Sequence, residues 1–114
     1  MSVPEDWVMI TDFYSPWQAN EYGVWVYKQL FTVYLYGKVF VPANSTTWKG
    51  EIRMFNLWEA YRPQHITVLP IGKVNMCSSA VFIQILPTGV CKILGSYNRG
   101  EIVDLNCSFF IYDY

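Results

Sequence analysis

Few residues in this chain have the types and spacing to do chemistry. The one histidine, His65, closes the stretch Trp58-Glu-Ala-Tyr-Arg-Pro-Gln-His65. A Ser–His–acid triad would have to use it, yet it stands at the mouth of an apolar strand pattern and no serine lies in a Gly-x-Ser-x-Gly setting. Glycoside cleavage needs two carboxyl groups converging to about 5–9 Å. Glu51 and Glu59 come nearest, but one falls on a strand pattern and the other on a turn, where a solvated charge is the ordinary reading. Three cysteines, Cys77, Cys91 and Cys107, cannot all pair within one chain, and gaps of fourteen and sixteen residues match no Cys-x-x-Cys metal motif. Buried thiols acting as small hydrophobes are expected, with a disulfide between two of them as the alternative. These residues predict no enzyme, no metal and no cofactor.

Aromatic residues beside polar ones are better candidates for a ligand. Trp48 follows the polar stretch Pro42-Ala-Asn-Ser-Thr-Thr47, and Tyr97 precedes Asn98 and Arg99. Each sets a flat apolar ring beside amide, hydroxyl or guanidinium groups. That mixture lets a ring cover the C–H face of a sugar while polar neighbours bond its hydroxyls. Trp48, Tyr97, Asn98 and Arg99 are therefore the candidate ligand-binding residues, on loops or at their edges. A loop tryptophan serves as often as a lid on the core. The Asn-Ser-Thr sequon in the same loop matters only in a chain secreted from a eukaryote.

Period-two alternation supplies the elements that position them. In Phe31–Val41, the residues Val33, Leu35, Val39 and Val41 share one face with Gly37, while Tyr34, Tyr36, Lys38 and Phe40 take the other. Gly37 inside such a strand predicts a bulge or a close backbone approach. In Val103–Tyr112 the inner set is Val103, Leu105, Cys107, Phe109 and Ile111. Further strands are predicted at Val24–Lys28, Trp48–Met54, Ile66–Leu69, Val81–Leu86 and Val90–Leu94. Pro87-Thr-Gly89 closes the last two as a hairpin, and Asn98-Arg-Gly100 marks the next turn. One helical turn is predicted at Asn56–Tyr61, capped by Asn56 and stopped by Pro63. The fold class predicted is all-β, an antiparallel β-sandwich or flattened barrel of about seven or eight strands, with residues 1–114 as one domain.

Composition bounds the partners. Apolar residues make up 53% of the 114 residues and charged ones 15%, against about 25% charged in an ordinary soluble domain. So lean a surface predicts cover by a partner or a like subunit, which is also the preferred reading of the Tyr34, Tyr36 and Phe40 stripe over a sugar platform. A net charge of −1 removes the counterion-release argument for nucleic acid. Gln84, Pro87 and Lys92 interrupt the most apolar region, so no membrane insertion is predicted. The acidic start, Met1-Ser-Val-Pro-Glu-Asp-Trp, does not look like an export signal.

The order of short motifs carries a resemblance. Val26-Tyr-Lys28, Val33-Tyr-Leu-Tyr-Gly37, Thr47-Trp48, Tyr61-Arg-Pro63, Val68-Leu-Pro70, Val81-Phe-Ile-Gln-Ile85, Pro87-Thr-Gly89, Val90-Cys-Lys-Ile93 and Ser108-Phe-Phe-Ile-Tyr-Asp113 follow one another from Trp7 onward. In that order the chain resembles the carboxy-terminal β-module of bacteriophage tail fibre and baseplate receptor-binding proteins. The resemblance implies a virion protein of the tail or baseplate tip, assembled as a homotrimer beside other tail proteins, that recognises a bacterial cell-surface glycan during adsorption. Two alternatives stand beside it: a structural assembly module without receptor contact, and a polysaccharide depolymerase working through Glu51 or Glu59. In this reading Tyr-Arg-Pro is architecture. Pro63 launches the next strand, Arg62 ties down turn carbonyls and Tyr61 covers the end of the sandwich.

Overall fold

A computed structural model of the chain describes residues 7–14, 17–40, 48–73, 81–97 and 102–111. The Pro42–Thr47 loop, the Asn98–Gly100 turn and Cys77 lie outside them. Nine strands account for most of what is described: β1 Val8–Met9, β2 Gln18–Gln29, β3 Thr32–Phe40, β4 Trp48–Asn56, β5 Thr67–Lys73, β6 Val81–Ile85, β7 Val90–Tyr97, β8 Ile102–Asp104 and β9 Cys107–Phe110. Every pairing is antiparallel. The order is β1-β2-β3-β8-β5-β6-β7-β4, with β9 also on β3. This is the all-β flattened barrel that the alternation predicts.

Residues 8–14 bring the two ends of the sheet together. Val8 and Met9 pair with Val26 and Trp25 of β2. A few residues on, Phe13 bridges Phe55 of β4, with Asn56 N–H donating to Asp12 O at 2.9 Å and Tyr14 N–H to Met54 O at 2.9 Å. β5 changes partner at the opposite corner, pairing with β6 through Ile71 and with β8 from Gly72. The inner faces then meet. Val24, Val33, Leu35, Val39, Ile83, Ile85, Ile93, Val103 and Leu105 are buried together around Met54, Phe55 and Leu57. No polar or charged side chain is buried among the described residues, so this core stabilises by apolar area alone.

Gly37 sets the local geometry of the strand it interrupts. Its φ is +133°, and a β-carbon there would stand 2.4 Å from Gly23 O and 2.8 Å from Val24 Cα. The close approach coincides with a register shift in β2 between Ala19 and Val24. The distortion reaches the other neighbour as well. Gly37 N–H donates to Asn106 Oδ1 at 3.1 Å, while Leu105 N–H donates to Gly37 O at 2.9 Å. The single strand predicted over Val103–Tyr112 therefore becomes β8 and β9. Both still pair with β3 in one register, Val39 with Val103 and Val33 with Phe109.

Two expected boundaries move. The turn predicted at Asn56–Tyr61 is a 3-10 turn over Glu59–Tyr61 with Trp58 at its cap position and no side-chain capping bond. Asn56 ends β4 instead, because its amide is committed elsewhere: Oδ1 accepts from Tyr14 Oη at 3.0 Å and Nδ2 donates to Asp12 Oδ2 at 3.1 Å. β5 does not stop before Pro70 but runs through it to Lys73. Leu105 and Ile111 send their N–H groups to β3, so even-numbered residues of β8 and β9 turn their backbone polar groups the other way. Asp104 thus bonds toward Gly72, and in β5 the even-numbered residues face that side too. Pro70 lacks a donor on an edge where no strand of the described residues meets it, which is where a strand tolerates proline.

Candidate functional site

The sequence candidates separate into a described pair and an undescribed one. Trp48 and Tyr97 are the first residue of β4 and the last of β7, and the register sets them directly opposite each other. Trp48 begins the strand predicted at Trp48–Met54, while Tyr97 is a strand end and not the loop residue expected, because β7 runs three residues past the predicted Val90–Leu94. Two and four residues along the ladder, at the positions that share their face, come Gly50 opposite Gly95 and Ile52 opposite Ile93, of which Ile93 is fully buried. The glycine rung carries no side chain. It separates the buried Ile93 rung from the terminal Trp48–Tyr97 rung along the same face of the ladder. Asn98 and Arg99 lie outside the described residues and follow Tyr97 directly in sequence.

The Tyr-Arg-Pro stretch is architecture, as its motif implied. Arg62 Nε donates to Leu57 O at 3.0 Å, and Leu57 N–H donates to Gly89 O at 2.8 Å. The guanidinium thereby clamps the chain after β4 onto the β6–β7 hairpin. That hairpin closes as the Pro87-Thr-Gly89 signal predicts, with Gly89 N–H donating to Leu86 O at 2.8 Å and Gly89 at φ +95°. Pro63 is buried and Tyr61 packs against the core cluster.

On the outer face of β2 and β3, Tyr27 and Tyr34 form a directly opposed pair with stacked rings, centroids 6.1 Å apart. Trp7 stacks on Tyr27 at 5.4 Å and meets Tyr36 edge-on at 6.2 Å. The stripe is joined by Trp7 and Tyr27, which sequence reading did not include. These rings spend much of their flat area on one another, as cross-strand aromatic pairs do.

The acids of the depolymerase reading sit apart along the chain. Glu51 lies in β4 opposite Leu94, and Glu59 is exposed in the 3-10 turn beyond the far end of that strand. Cys91 and Cys107 are free thiols. Burial, and then the neighbouring Asp104, pushes the Cys107 thiol up to about 12. Burial, and then Cys107, pushes the Cys91 thiol up as well. Both are protonated and poorly nucleophilic at neutral pH. Among the described residues, no group of three or more His, Cys, Asp or Glu has metal-binding placement, and no helix is long and apolar enough to cross a membrane.

A groove of about 550 Å³ escaped the sequence reading. It opens between β5 and β9 and is lined by Thr67, Leu69, His65, Ser108, Phe109 and Phe110, among others. Carried onward, the β5–β8 register would set Val68 opposite Ser108, but the strands part after Gly72–Asp104. Pro70 was the available signal: a proline within an otherwise strand-like run marks an edge without a neighbour.

Comparison of the chain with protein-family models and with curated proteins returns no match.

Proposed function

We propose that this protein is a non-enzymatic recognition module of a bacteriophage tail fibre or baseplate tip that binds a bacterial surface saccharide. The observation that carries the binding half is the register that sets Trp48 opposite Tyr97 at the end of the β4–β7 ladder, beyond the Gly50–Gly95 rung. Two aromatic residues brought together there, with Asn98 and Arg99 next in the chain, provide the ring and polar partners that a sugar requires. The viral assignment rests on the order of motifs from Val26-Tyr-Lys28 to Ser108-Phe-Phe-Ile-Tyr-Asp113. Homotrimeric assembly fits the apolar exterior, where Leu30 is 82% and Phe110 71% exposed, and three copies would multiply weak sugar contacts by avidity.

The test is binding to a glycan array and to whole bacterial cells, with the mass in solution measured by light scattering. Replacing Trp48 or Tyr97 by Ala, with the circular dichroism of the fold retained, is expected to weaken binding about tenfold or more; stacking on an aromatic ring is worth roughly that much. Full binding by both variants would remove this site. Failure to label any cell, together with co-purification with other tail components, would favour the assembly module instead.

A further inference from the structure

We propose that the groove between β5 and β9 is a second ligand site, which takes one neutral pyranose ring, free or at the end of a glycan, and fills independently of Trp48 and Tyr97. The cleft forms where two strands part. β5 and β8 are bonded at Gly72–Asp104. Beyond Asp104, whose carboxylate accepts from Asn106 N–H at 3.2 Å, the chain stays on β3 as β9, with Val33 opposite Phe109. On the other wall Pro70 has no donor to hold β5 to that neighbour. The cleft is thus closed at the Gly72 end and open at the Thr67 end. Its volume is about 550 Å³, within the ordinary range of small-ligand sites. Cα atoms of β5 and β9 still come within 8 Å of each other, whereas a strand bonded to both would hold them about 9–10 Å apart. That spacing excludes a paired peptide and leaves the cleft to a compact ring.

The lining selects the ligand class. Its polar side chains are Thr32, Gln64, His65, Thr67 and Ser108, and no acid, lysine or arginine is among the described residues that line it. An ion would lose its water there without meeting an opposite charge. An alkyl chain would strip water from hydroxyl, amide and imidazole groups and return no hydrogen bond. Sugar hydroxyls both donate and accept, as those groups do. Thr67 Oγ1 already donates to His65 O at 3.1 Å, which leaves its lone pairs to accept from a ligand hydroxyl. The apolar side of the same ring is met as well. Phe110, 71% exposed, lines the groove and offers its ring to the C–H side of a pyranose, with Leu69 and Ile111 on the core side. Thr67 is level with Ile85, Cys91 and Phe55 across the sheet, and Trp48 stands roughly 20 Å from Phe55 along β4. One sugar ring cannot reach both places.

The test is an NMR titration of the isotope-labelled, full-length protein with the methyl glycosides of glucose, galactose and N-acetylglucosamine. Sodium glucuronate serves as the charged comparator and cyclohexanol as the apolar one. At least one glycoside is expected to shift the amides of His65, Thr67, Ser108 and Phe110, with a dissociation constant of about a millimolar. Phe110→Ala, at an exposed position, should keep the fold and weaken that response about tenfold, while Phe110→Trp should retain it. Ser108→Ala should weaken it about threefold. Silence of these amides with every glycoside would overturn the proposal, and so would full binding by a folded Phe110→Ala variant. Tighter binding of glucuronate or cyclohexanol than of any glycoside would overturn the ligand class. Shifts confined to the surroundings of Trp48 and Tyr97 would overturn this site and leave the function proposed above standing. Groove shifts that persist in Trp48→Ala would sustain this site whatever becomes of that one.

Discussion

Gly89 lies directly against the guanidinium of Arg62. A β-carbon at position 89 would stand 2.5 Å from Arg62 Nε and 2.6 Å from Leu57 O. The hairpin glycine and the arginine of Tyr-Arg-Pro, twenty-seven residues apart in sequence, are thus one structural unit. Leu57 is its third member, bonded to both through its backbone.

That unit should break from either side by different amounts. Gly89→Ala meets a backbone carbonyl that cannot swing away and a φ of +95°. A loss of about 2–4 kcal/mol is expected from the combined clash and backbone strain. Arg62→Ala removes one half-buried hydrogen bond and should cost about 1–2 kcal/mol. Urea unfolding of both variants and the double variant is the measurement. The two losses should fall short of additive, because Arg62→Ala relieves one of the two collisions.

Gly37 and Gly72 make a sharper contrast. Gly37→Ala would press a methyl group into the backbone of Gly23 and Val24. It is expected to cost about 3 kcal/mol or more, or to abolish folding. Around Gly72 nothing lies within 4 Å and φ is not positive, so Gly72→Ala should change stability by less than about 0.5 kcal/mol. Thermal midpoints of the two variants decide the matter. Comparable losses would contradict the close approach at Gly37.

Asn106 supplies an acceptor that the β3 ladder otherwise lacks at Gly37 N–H. Asn106→Ala should destabilise by about 1 kcal/mol, while Asn106→Asp, which keeps a side-chain oxygen, should recover most of it. Amide exchange at Gly37 reads the same bond directly: faster in the Ala variant, restored in the Asp variant.

The cysteines predict a loss of stability in alkali. An unfolded thiol ionises near 8.5, whereas the folded Cys107 thiol is held up to about 12. A raised acid favours the folded chain while both states keep the proton. Stability is therefore full below about pH 8.5 and falls through the window up to about 12, by at most about 1.4 kcal/mol per pH unit for this group. Cys107→Ala should flatten that slope in urea unfolding at pH 9 to 10.5. Thiol reagents at pH 8 should react with Cys91 only after denaturation.

Several elements were legible in the residue pattern because each depends on near neighbours. The inner face of β3, the β6–β7 hairpin at Pro87-Thr-Gly89 and the burial of Val103, Leu105, Phe109 and Ile111 follow from period two and turn chemistry. Gly37 was readable as an anomaly, but its cause, the backbone of Gly23, was not. Asn56 misled because an asparagine ahead of a glutamate three residues on is a capping pattern, and here its amide is held by Asp12 and Tyr14 from the other end of the sheet. Trp48 and Tyr97 each stand out in the sequence by their polar neighbours, but nothing in it says that the two residues lie opposite each other.

The sequence by itself determined an all-β chain, the faces that its strands bury and the turns that must bend, since side-chain alternation and the φ limits of glycine and proline act within a few residues. Which strand lies beside which was decided only in three dimensions. Strand pairing is a backbone interaction that takes almost any sequence, so register and partner come from how the two inner faces close on one core. The Trp48–Tyr97 rung, the Arg62–Gly89 clamp and the seam beside Pro70 all arise at that level, where residues far apart in the chain are brought within reach of one hydrogen bond.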